Sequence, residues 1–422
     1  MKSAKFKDSP LGPIPQDWEV KRLGDLFDFA AAGDLQDNCS SKMPTHENIY
    51  PIYSNTVPQK GLYGYTSRPR FKKGCMTITG RGTLGHAEYR DSDFDAIIRL
   101  IVMQPHKEVD ARFFAAYVNT YSPFPVSVSS IPQLTVPQVQ ETIAPCPPLP
   151  EQRRIAEALG AVDKLIDSLD AQIEKKRRIA QGLAHDLLGM RDGKNEPIRR
   201  LPGFKGGWRR VPFSQAFTML NNNTYSRDFM CAPREGTVMN IHYGDVLIKF
   251  ACVLDLGVDE VPCLKNGVRP NKDFIQDGDI VIADTAEDET VGRVVEIQGV
   301  GESQCVSGLH TVLCRPMTNA FASGFLGYYM NSQSYHDQLM PLITGSKVSA
   351  LSRSSLAKTE LVIPPTIAEQ QAIAEVLAAA DSEIAGLEAK KRKYEQIKSG
   401  MMQDLLTGKV RVNEECGMRN AE

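Results

Sequence analysis

The clearest pattern along the chain is a stripe of apolar residues whose spacing alternates between four and three. It occurs once as Ile155, Leu159, Val162, Ile166, Leu169 and Ile173, and again as Ile373, Leu377, Ala380, Ile384 and Leu387. This rhythm predicts a long α-helix that carries a coiled-coil seam. Prolines at 147, 148 and 150, and at 364 and 365, stop either helix from extending further upstream.

The two stripes belong to one internal repeat. Residues 151–189 recur at 369–407 with a constant offset of 218 and no gap, and 17 of the 39 aligned positions are identical. A helix of ~38 residues spans roughly 57 Å and needs a partner to cover its stripe. We expect the two copies to pair with each other as an antiparallel coiled coil, because a whole domain separates them. Parallel pairing is also compatible with this connectivity.

The remaining sequence predicts two globular heads of the α+β class, mostly antiparallel. Strand-like runs cover residues 76–79, 96–103, 279–283, 292–297 and 311–314, and helices are predicted near 111–119 and 321–330. Landmarks recur in both heads: Trp18 and Trp208 after a proline-containing lead-in, 71–78 with 275–282, and 131–135 with 348–352. The chain is therefore predicted to have an internal pseudo-twofold repeat.

The predicted organisation alternates head and helix. The segments are a first head (1–150), a first long helix (151–190), a linker (191–200), a second head (201–363), a second long helix (364–408) and a tail (409–422). The helices are alike while the heads share only landmarks. This pattern favours a fixed frame that carries two different binding surfaces.

Composition narrows the class of protein. The 422 residues have a mean hydropathy of −0.28, and no apolar run approaches the ~18–20 residues needed to cross a bilayer. The N-terminus has no apolar signal core, so we expect a soluble cytoplasmic protein. The nine cysteines form no Cys-x-x-Cys pair and no zinc-finger spacing, which favours free thiols.

Charge is distributed unevenly although its sum is only −2. Between Lys60 and Arg90 there are seven basic residues and one acid, and residues 338–359 contain three basic residues and no acid. Such runs are usually solvated surface, but a local basic surface can also bind phosphates.

Motifs that would carry a reaction are missing from the sequence. The Pro-Pro pairs at 147–148 and 364–365 lack the polar residue and the aromatic ring of DNA amino-methyltransferases. Neither a phosphate-binding loop nor a complete dinucleotide fingerprint is present. The acidic run at Asp284, Glu287, Asp288 and Glu289 is better explained as a solvated loop than as a metal site. Cys305 and His310 lack a third, orienting group. We predict a non-catalytic chain without a metal site.

The segments LPEQRRIA (149–156) and IAEQQAIA (367–374), together with YPIYSN (50–55), GRGTLG (80–85) and DLLTGKVR (404–411), resemble the specificity subunit of type I restriction–modification systems. The resemblance covers essentially the whole chain. It implies double-stranded DNA as ligand, with two methyltransferase subunits and endonuclease/translocase subunits as partners in defence against foreign DNA. S-adenosylmethionine, ATP and Mg²⁺ would then belong to those partners.

The resemblance also implies that each head, as a target-recognition domain, reads one half of a bipartite target. Arg81, between two glycines, is our first candidate for guanine, Asn55 and Gln59 for adenine, and Lys72 and Lys73 for phosphates. The full set of candidate DNA-binding residues is Asn55, Gln59, Lys60, Arg68, Arg70, Lys72, Lys73, Arg81 and Thr83 in the first head, and His242, Tyr243, Thr285, Ser346, Lys347 and Arg353 in the second.

Two alternatives remain open at the level of sequence. The chain could be a coiled-coil scaffold whose heads bind proteins, or the recognition subunit of a related methylation-based defence system. The second head departs from the first at 284–291, where acids replace the basic Arg81 loop. This difference leaves the base-contacting residues of the second head undecided. Salt-dependent DNA binding in the presence of methyltransferase subunits separates a DNA reader from a scaffold.

Overall fold

The structure, a computed structural model, describes residues 5–36, 39–121, 124, 132–191, 195–270, 273–345 and 347–412. The chain divides into two compact units, one formed by 1–171 and 389–422 and the other by 172–388. Both boundaries fall inside the long helices. Each unit therefore contains one head, the first part of one long helix and the last part of the other.

The first unit combines short strands with a few helices. Its helices are α1 (Leu23–Leu26), α2 (Ala111–Tyr121), α3 (Val136–Gln140) and the beginning of α4 (Leu149–Leu188). Its strands are β1 (Phe6–Lys7), β2 (Ile14–Pro15), β3 (Glu19–Arg22), β4 (Phe27–Ala31), β5 (Ser40–Ser41), β6 (Tyr50–Tyr53), β7 (Leu62–Thr66), β8 (Met76–Ile78), β9 (Ala87–Tyr89), β10 (Asp95–Ala96), β11 (Ile101–Pro105) and β12 (Ile143–Cys146).

Two sheets and one strand pair organise this unit. The order β4-β11-β8-β9 is antiparallel throughout, while β10-β6-β7-β5 contains one parallel pair, β6 with β10. Strand β12 pairs with β3 beside the start of α4. The main core packs α2 against the first sheet, with Trp18, Phe113 and Phe114 fully buried. Edge-to-face ring contacts join Trp18 to Phe113 at 6.3 Å and Phe113 to Phe114 at 5.2 Å.

The second unit has the same kinds of element. Its helices are α5 (Phe213–Ala216), α6 (Tyr243–Ile248), α7 (Phe325–Met330), α8 (Gln333–Leu339), α9 (Arg353–Leu356) and the beginning of α10 (Ile367–Leu405). Its strands are β13 (Arg209–Pro212), β14 (Phe217–Leu220), β15 (Met230–Cys231), β16 (Val238–Ile241), β17 (Val253–Asp255), β18 (Cys263–Leu264), β19 (Ile280–Ala283), β20 (Thr285–Ala286), β21 (Val294–Gln298), β22 (Gln304–Ser307), β23 (Thr311–Pro316), β24 (Ser349–Ala350) and β25 (Glu360–Ile363).

The strand order of the second unit repeats that of the first. Sheet β14-β23-β19-β21-β17 corresponds to β4-β11-β8-β9 with an added edge strand, and β13-β25 corresponds to β3-β12. Sheet β15-β18-β16-β22 again contains one parallel pair, β16 with β22. The predicted mixture of helix and strand is thus confirmed.

One predicted strand is wrong. Residues 96–103 do not form a single strand, because β10 ends at Ala96 and β11 begins at Ile101. Between them Ile98 and Arg99 adopt left-handed conformations, with φ of 56° and 57°. Hydrogen bonds from outside the segment impose this turn, and they are not visible in a local pattern.

Helix α4 begins at Leu149, directly after Pro147 and Pro148 and with Pro150 as its second residue, and α10 begins at Ile367, two residues after Pro365. Of the stripe residues, Ile155, Leu159, Val162, Leu169, Ile173, Ile373 and Leu377 are buried, and Ile166, Ala380, Ile384 and Leu387 are half-buried. No helix in the described ranges is long and apolar enough to cross a membrane.

Ion pairs show that the helix segments run antiparallel within each unit. In the first unit Asp163 pairs with Lys398 and Asp170 with Lys391, both at 2.6 Å. In the second unit Lys176 pairs with Glu383 and Arg177 with Glu388, also at 2.6 Å. Exposed pairs of this kind contribute little stability, but they record the direction of the partner segment.

A buried glutamate at the start of each long helix joins it to its head. Glu151 accepts hydrogen bonds from Trp18 Nε1 at 2.9 Å and from Arg411, which also binds Asp17. In the second unit Glu369 accepts from Trp208 Nε1 at 3.2 Å and from Arg200 at 2.8 and 2.7 Å.

The neighbouring glutamine is used in the same way in both units. Gln152 accepts from the Asp110 backbone N–H and donates to the Pro147 carbonyl, both at 2.8 Å. Gln370 accepts from the Ala322 N–H at 2.9 Å and donates to the Pro364 carbonyl at 3.1 Å. The Glu-Gln pair of the repeat is therefore a structural connection between helix and head.

Replacing Arg411 by alanine should destabilise the first unit by about 2–3 kcal/mol, because it leaves the buried Glu151 carboxylate with one donor fewer. The expected result is faster backbone hydrogen exchange in β3, β12 and α2, with exchange in β13 and β25 unchanged.

Arg153→Ala is the matched control, since Arg153 is an exposed arginine on α4, two residues after Glu151. Equal exchange in the two variants would contradict the structural role of Arg411. Arg200→Ala should produce the reciprocal effect, confined to the second unit.

Candidate nucleic-acid interface

Three loops meet at one end of the sheets in the first unit, and we call this place the first junction. They are the loop 54–61 after β6, the hairpin 79–86 between β8 and β9, and the turn 97–100 between β10 and β11. The Asn55 side chain joins all three, because its Nδ2 donates to the Ile98 carbonyl and its Oδ1 accepts from the Gly80 N–H at 2.7 Å. Both polar atoms of Asn55, predicted to read adenine, thus bind the protein itself.

The hairpin presents Arg81 at an exposed tip. Its base is closed by the Gly85 N–H, which donates to the Thr79 carbonyl at 2.8 Å, and the Leu134 N–H donates to the Gly80 carbonyl at 3.0 Å. Thr79 Oγ1 donates to the Thr83 carbonyl and holds the tip closed. Arg81 and Thr83 are exposed, so a guanidinium at this position can reach a ligand from a fixed base.

The loop 54–61 exposes two further predicted residues. It closes through the Ser54 N–H, which donates to the Gly61 carbonyl at 2.8 Å. Gln59 and Lys60 at its tip are exposed and left-handed, with φ of 51° and 55°. Such conformations are unfavourable for residues other than glycine and persist only where neighbouring groups hold them.

Arg90 provides that support, a role that its place in the basic run did not reveal. It is buried, donates to the Lys60 carbonyl at 2.8 Å and to Thr77 Oγ1 at 3.0 and 2.8 Å, and lies 3.6 Å from the Tyr53 ring centroid. Burial lowers the pKa of the Arg90 guanidinium. This arginine therefore holds a loop in place and is not available to bind phosphate.

Other predicted basic residues of the first head lie elsewhere or have partners. Arg70 donates to the Ala96 carbonyl at 2.7 Å and pairs with Asp95, and Lys72 pairs with Asp93 at 2.9 Å. Lys72 and Lys73 precede β8 whereas Arg81 follows it, so they belong to opposite ends of that strand. Arg68 is exposed. The structure brings Asn55 and the Arg81 hairpin together, but not the two lysines.

The second unit contains an equivalent junction with the same backbone hydrogen bonds. The Gly308 N–H donates to the Ile241 carbonyl at 2.9 Å, as the Ile97 N–H does to that of Tyr53. The hairpin 283–293 closes through Gly292 and Ala283, as the first closes through Gly85 and Thr79. The Leu351 N–H donates to the Asp284 carbonyl, as Leu134 does to Gly80.

Two pairs of predicted residues are equivalent by these bonds: Tyr243 matches Asn55, and Thr285 matches Arg81. Tyr243 packs edge-on against the His310 ring at 5.3 Å, and Thr285 Oγ1 lies 3.2 Å from His310 Nδ1. Strand β24 pairs with β20, which attaches the hairpin 344–350 and its exposed Lys347 to Thr285. Ser346, also predicted here, lies outside the described residues.

The hairpin tips differ in charge between the units. Where the first tip carries Arg81, the second is three residues longer and exposes Glu287, Asp288 and Glu289. Within the described ranges, no group of three or more His, Cys, Asp or Glu side chains is arranged to hold a metal ion.

Two of the predicted residues of the second head have structural positions instead of surface ones. His242 is buried and caps α6, since its Nδ1 accepts from the Gly244 N–H at 3.2 Å. Arg353 is half-buried and donates to the Leu220 carbonyl at 2.8 Å and to Asn222 Oδ1 at 3.2 Å. His242 cannot contact a base edge without leaving its capping position, and the Arg353 guanidinium already has two partners within the protein. Both positions argue against direct DNA contacts.

Comparison with known proteins agrees with this architecture. The family model described as the type I restriction modification DNA specificity domain matches residues 15–176. A putative specificity subunit of the type I restriction enzyme MjaX from Methanocaldococcus jannaschii is 24% identical over 97% of this chain and 98% of the relative. The C-terminal part of a putative type I specificity subunit from Mycoplasma pneumoniae is 30% identical over 118 residues, 27% of this chain and 81% of the relative. This chain belongs to the family of type I specificity subunits.

The fold of this specificity subunit is also found in a solved relative. The crystal structure of the S subunit of a type I restriction–modification system from Mycoplasma genitalium superposes with a TM-score of 0.60, over 96% of this chain and 98% of that chain. The sequence identity between the two is 14%, so the likeness concerns the fold.

Several structural residues of the specificity subunit were missed from sequence. Arg90, Arg200 and Arg411 act over long sequence separations, and no local pattern marks them. The Glu-Gln pairs were visible as identities of the repeat, and their exact recurrence at both helix starts was a usable signal for a structural role.

The buried cap predicts an acid-sensitive second unit. Burial, and then the nearby Arg227, lower the pKa of His242 to about 4 from an ordinary value of 6.5. Below pH 6.5 His242 therefore binds a proton in the unfolded chain, whereas in the folded chain it binds one only near pH 4. The free energy of unfolding should fall as the pH is lowered through this range. His242→Asn retains a capping acceptor but should show a smaller loss of urea stability between pH 7.5 and pH 5.

His46→Asn is the control, because His46 is an exposed histidine of the first unit. It should leave the acid dependence of the wild-type protein unchanged. An acid dependence in His242→Asn that equals that of the wild type would rule out His242 as its source.

Proposed function

We propose that this chain recognises DNA for a type I restriction–modification complex and has no catalytic activity of its own. Each unit reads one half of a bipartite target. The observation that carries the proposal is the junction, which is built twice on the same backbone hydrogen bonds. Its equivalent positions hold unlike side chains, Asn55 and Arg81 in one unit and Tyr243 and Thr285 in the other. One scaffold with two unlike sets of side chains suits two different half-sites.

The chemistry of the first junction suits the major groove. A guanidinium such as Arg81 can donate two parallel hydrogen bonds to O6 and N7 of guanine. Phosphate contacts position a protein on the duplex without reading sequence, and we assign this role to the exposed Lys60 in the first unit and the exposed Lys347 in the second. The second hairpin carries carboxylates, which can accept from the amino group of cytosine.

The partners follow from the family resemblance and the internal repeat. Two copies of one methyltransferase subunit can dock on a chain that contains the same helix start twice, at Leu149 in one unit and at Ile367 in the other. We place S-adenosylmethionine, ATP and Mg²⁺ on these partners and on endonuclease/translocase subunits. The assembly would act in the cytoplasm, where foreign DNA arrives.

We further propose that the long helices form one antiparallel coiled coil that sets the spacing of the half-sites. The antiparallel ion pairs within each unit support this pairing. So does the burial of the apolar stripe, which is complete or partial at every predicted position.

Methylome sequencing tests the function. Cells that express this chain with the methyltransferase subunits of its own system should methylate one bipartite motif genome-wide, and deletion of the chain should abolish that methylation. Unchanged methylation after deletion would contradict the proposal. A purified complex whose DNA binding does not depend on salt or sequence would favour a protein scaffold instead.

The spacer proposal predicts the effect of lengthening both helices. Inserting four residues after Ala171 and four after Glu388 adds about 6 Å to each helix and slightly more than one turn. Both stripes therefore stay on nearly the same face. The methylated motif should keep both half-sites while the gap between them widens by at most about two base pairs.

Insertion of two residues at each site is the matched control. It rotates the following stripe by about 200°, onto the opposite face, and should abolish methylation. An unchanged gap after the four-residue insertions would contradict the spacer role.

A further inference from the structure

The turn 97–100 of the first junction is held in an unusual conformation. Ile98 and Arg99 are consecutive left-handed residues, at φ of 56° and 57°. A β-branched residue rarely adopts this conformation, because its side chain crowds the backbone. Conformations of this kind are retained where surrounding contacts enforce them, and they are concentrated at functional sites.

Three hydrogen bonds with the backbone of the turn enforce its conformation, two with backbone carbonyls and one with a side chain. The Ile98 N–H donates to the Gly33 carbonyl and the Arg99 N–H to the Ala32 carbonyl, both at 3.1 Å. The Asn55 amide donates to the Ile98 carbonyl. The main chain is therefore fixed without any use of the Ile98 and Arg99 side chains.

Those two side chains face solvent. Ile98 is 50% exposed, and the Arg99 guanidinium is exposed and forms no hydrogen bond or ion pair with any residue in the described ranges. The turn lies next to the Arg81 hairpin, because a Cβ on Gly80 would be 3.6 Å from the Arg99 carbonyl oxygen. A cation and an apolar group thus stand together beside the predicted reader Arg81.

The second unit repeats the turn with other side chains. Its residues 308–311 include His310, which is also left-handed at φ of 54°. The Leu309 carbonyl accepts from the Tyr243 N–H at 3.3 Å, as the Ile98 carbonyl accepts from Asn55. The strand register makes Ile98 equivalent to Leu309 and Arg99 to His310. At these equivalent positions Arg99 and His310 are both exposed and left-handed, whereas the exposed, left-handed Ile98 is replaced by Leu309, which is half-buried and not left-handed.

We propose that Ile98 and Arg99 contact base edges in the first half of the DNA target, with Asn55 as the residue that positions them. This inference rests on the proposed function and adds residues that specify the half-site. Arg99 can donate bidentately to guanine, and Ile98 can pack against the thymine methyl group. Asn55 acts through the backbone of the turn and the hairpin, and not by reading adenine.

The test uses the complex of this chain with its methyltransferase subunits. Methylation rates are measured on duplexes randomised across the first half-site, with the second half-site fixed. Arg99→Ala should relax discrimination at one base pair by about 10-fold or more. Arg99→Lys should also relax it, because lysine keeps the charge but lacks the planar fork.

The Ile98→Gly variant distinguishes a loss of base recognition from a loss of folding stability. Glycine adopts the left-handed conformation without strain, so thermal stability should stay equal to that of the wild type or rise, while discrimination at the contacted position falls. Asn55→Ala should relax the positions read by the turn and by Arg81 together, with binding to nonspecific DNA retained. His310→Ala should alter the second half-site only.

Two outcomes would overturn the inference while leaving the proposed function intact. One is that the wild-type complex reads both half-sites, and that the Arg99→Ala and Ile98→Gly variants read them with the same discrimination as the wild type. The other is a uniform loss across all sequences in Arg99→Ala, which would make Arg99 a phosphate contact. A wild-type complex without any sequence preference would instead overturn the proposed function itself.

Discussion

The carboxylate buried at the start of each long helix is the interaction on which both units depend. Burying a charge is unfavourable unless donors replace its water, and each of Glu151 and Glu369 receives an indole N–H and a guanidinium. The arginine always comes from the segment that follows the other long helix: Arg411 follows α10, and Arg200 follows α4. The first unit is therefore complete only when Arg411, in the segment after α10, contacts Glu151 at the start of α4. The closing contacts of each unit span long stretches of sequence, which ties the heads to the helices.

In each unit, the backbone conformation of the junction is set largely apart from the exposed side chains that are proposed to bind DNA. At each junction equivalent backbone hydrogen bonds hold the loops, such as the Ile97 N–H to the Tyr53 carbonyl and the Gly308 N–H to the Ile241 carbonyl, and in the first unit the Asn55 and Arg90 side chains add further bonds. Backbone bonds do not depend on side-chain identity, so the exposed positions are free to differ. This explains how two units with the same strand order can carry a basic hairpin in one case and an acidic hairpin in the other.

Local periodicity explains what could be predicted from the sequence. The stripe from Ile155 to Ile173 and its copy were found because a helix has a fixed period, and β8 and β19 were found from short apolar runs after a glycine turn. The break at Ile98 and Arg99 was missed, because bonds from Gly33, Ala32 and Asn55 impose it. For the same reason His242 was assigned to the surface: its motif was visible, but its burial depends on packing between distant segments. Arg81 was predicted as a base reader because flanking glycines are a local signal, whereas no such signal flanks Arg99, which is proposed only from the structure.

The charge balance of the chain constrains how it can bind DNA. Many of its basic residues form ion pairs with carboxylates of the same chain: Arg70 with Asp95, Lys72 with Asp93 and Arg200 with Glu369. At the first junction the exposed cations are few, with Arg81, Arg99 and Lys60 prominent among them. Nonspecific affinity grows with the number of phosphates neutralised. Under the proposed function, a surface with few cations would bind DNA weakly by itself, and partner subunits would supply much of the binding free energy. A net charge of −2 on this chain is compatible with that function.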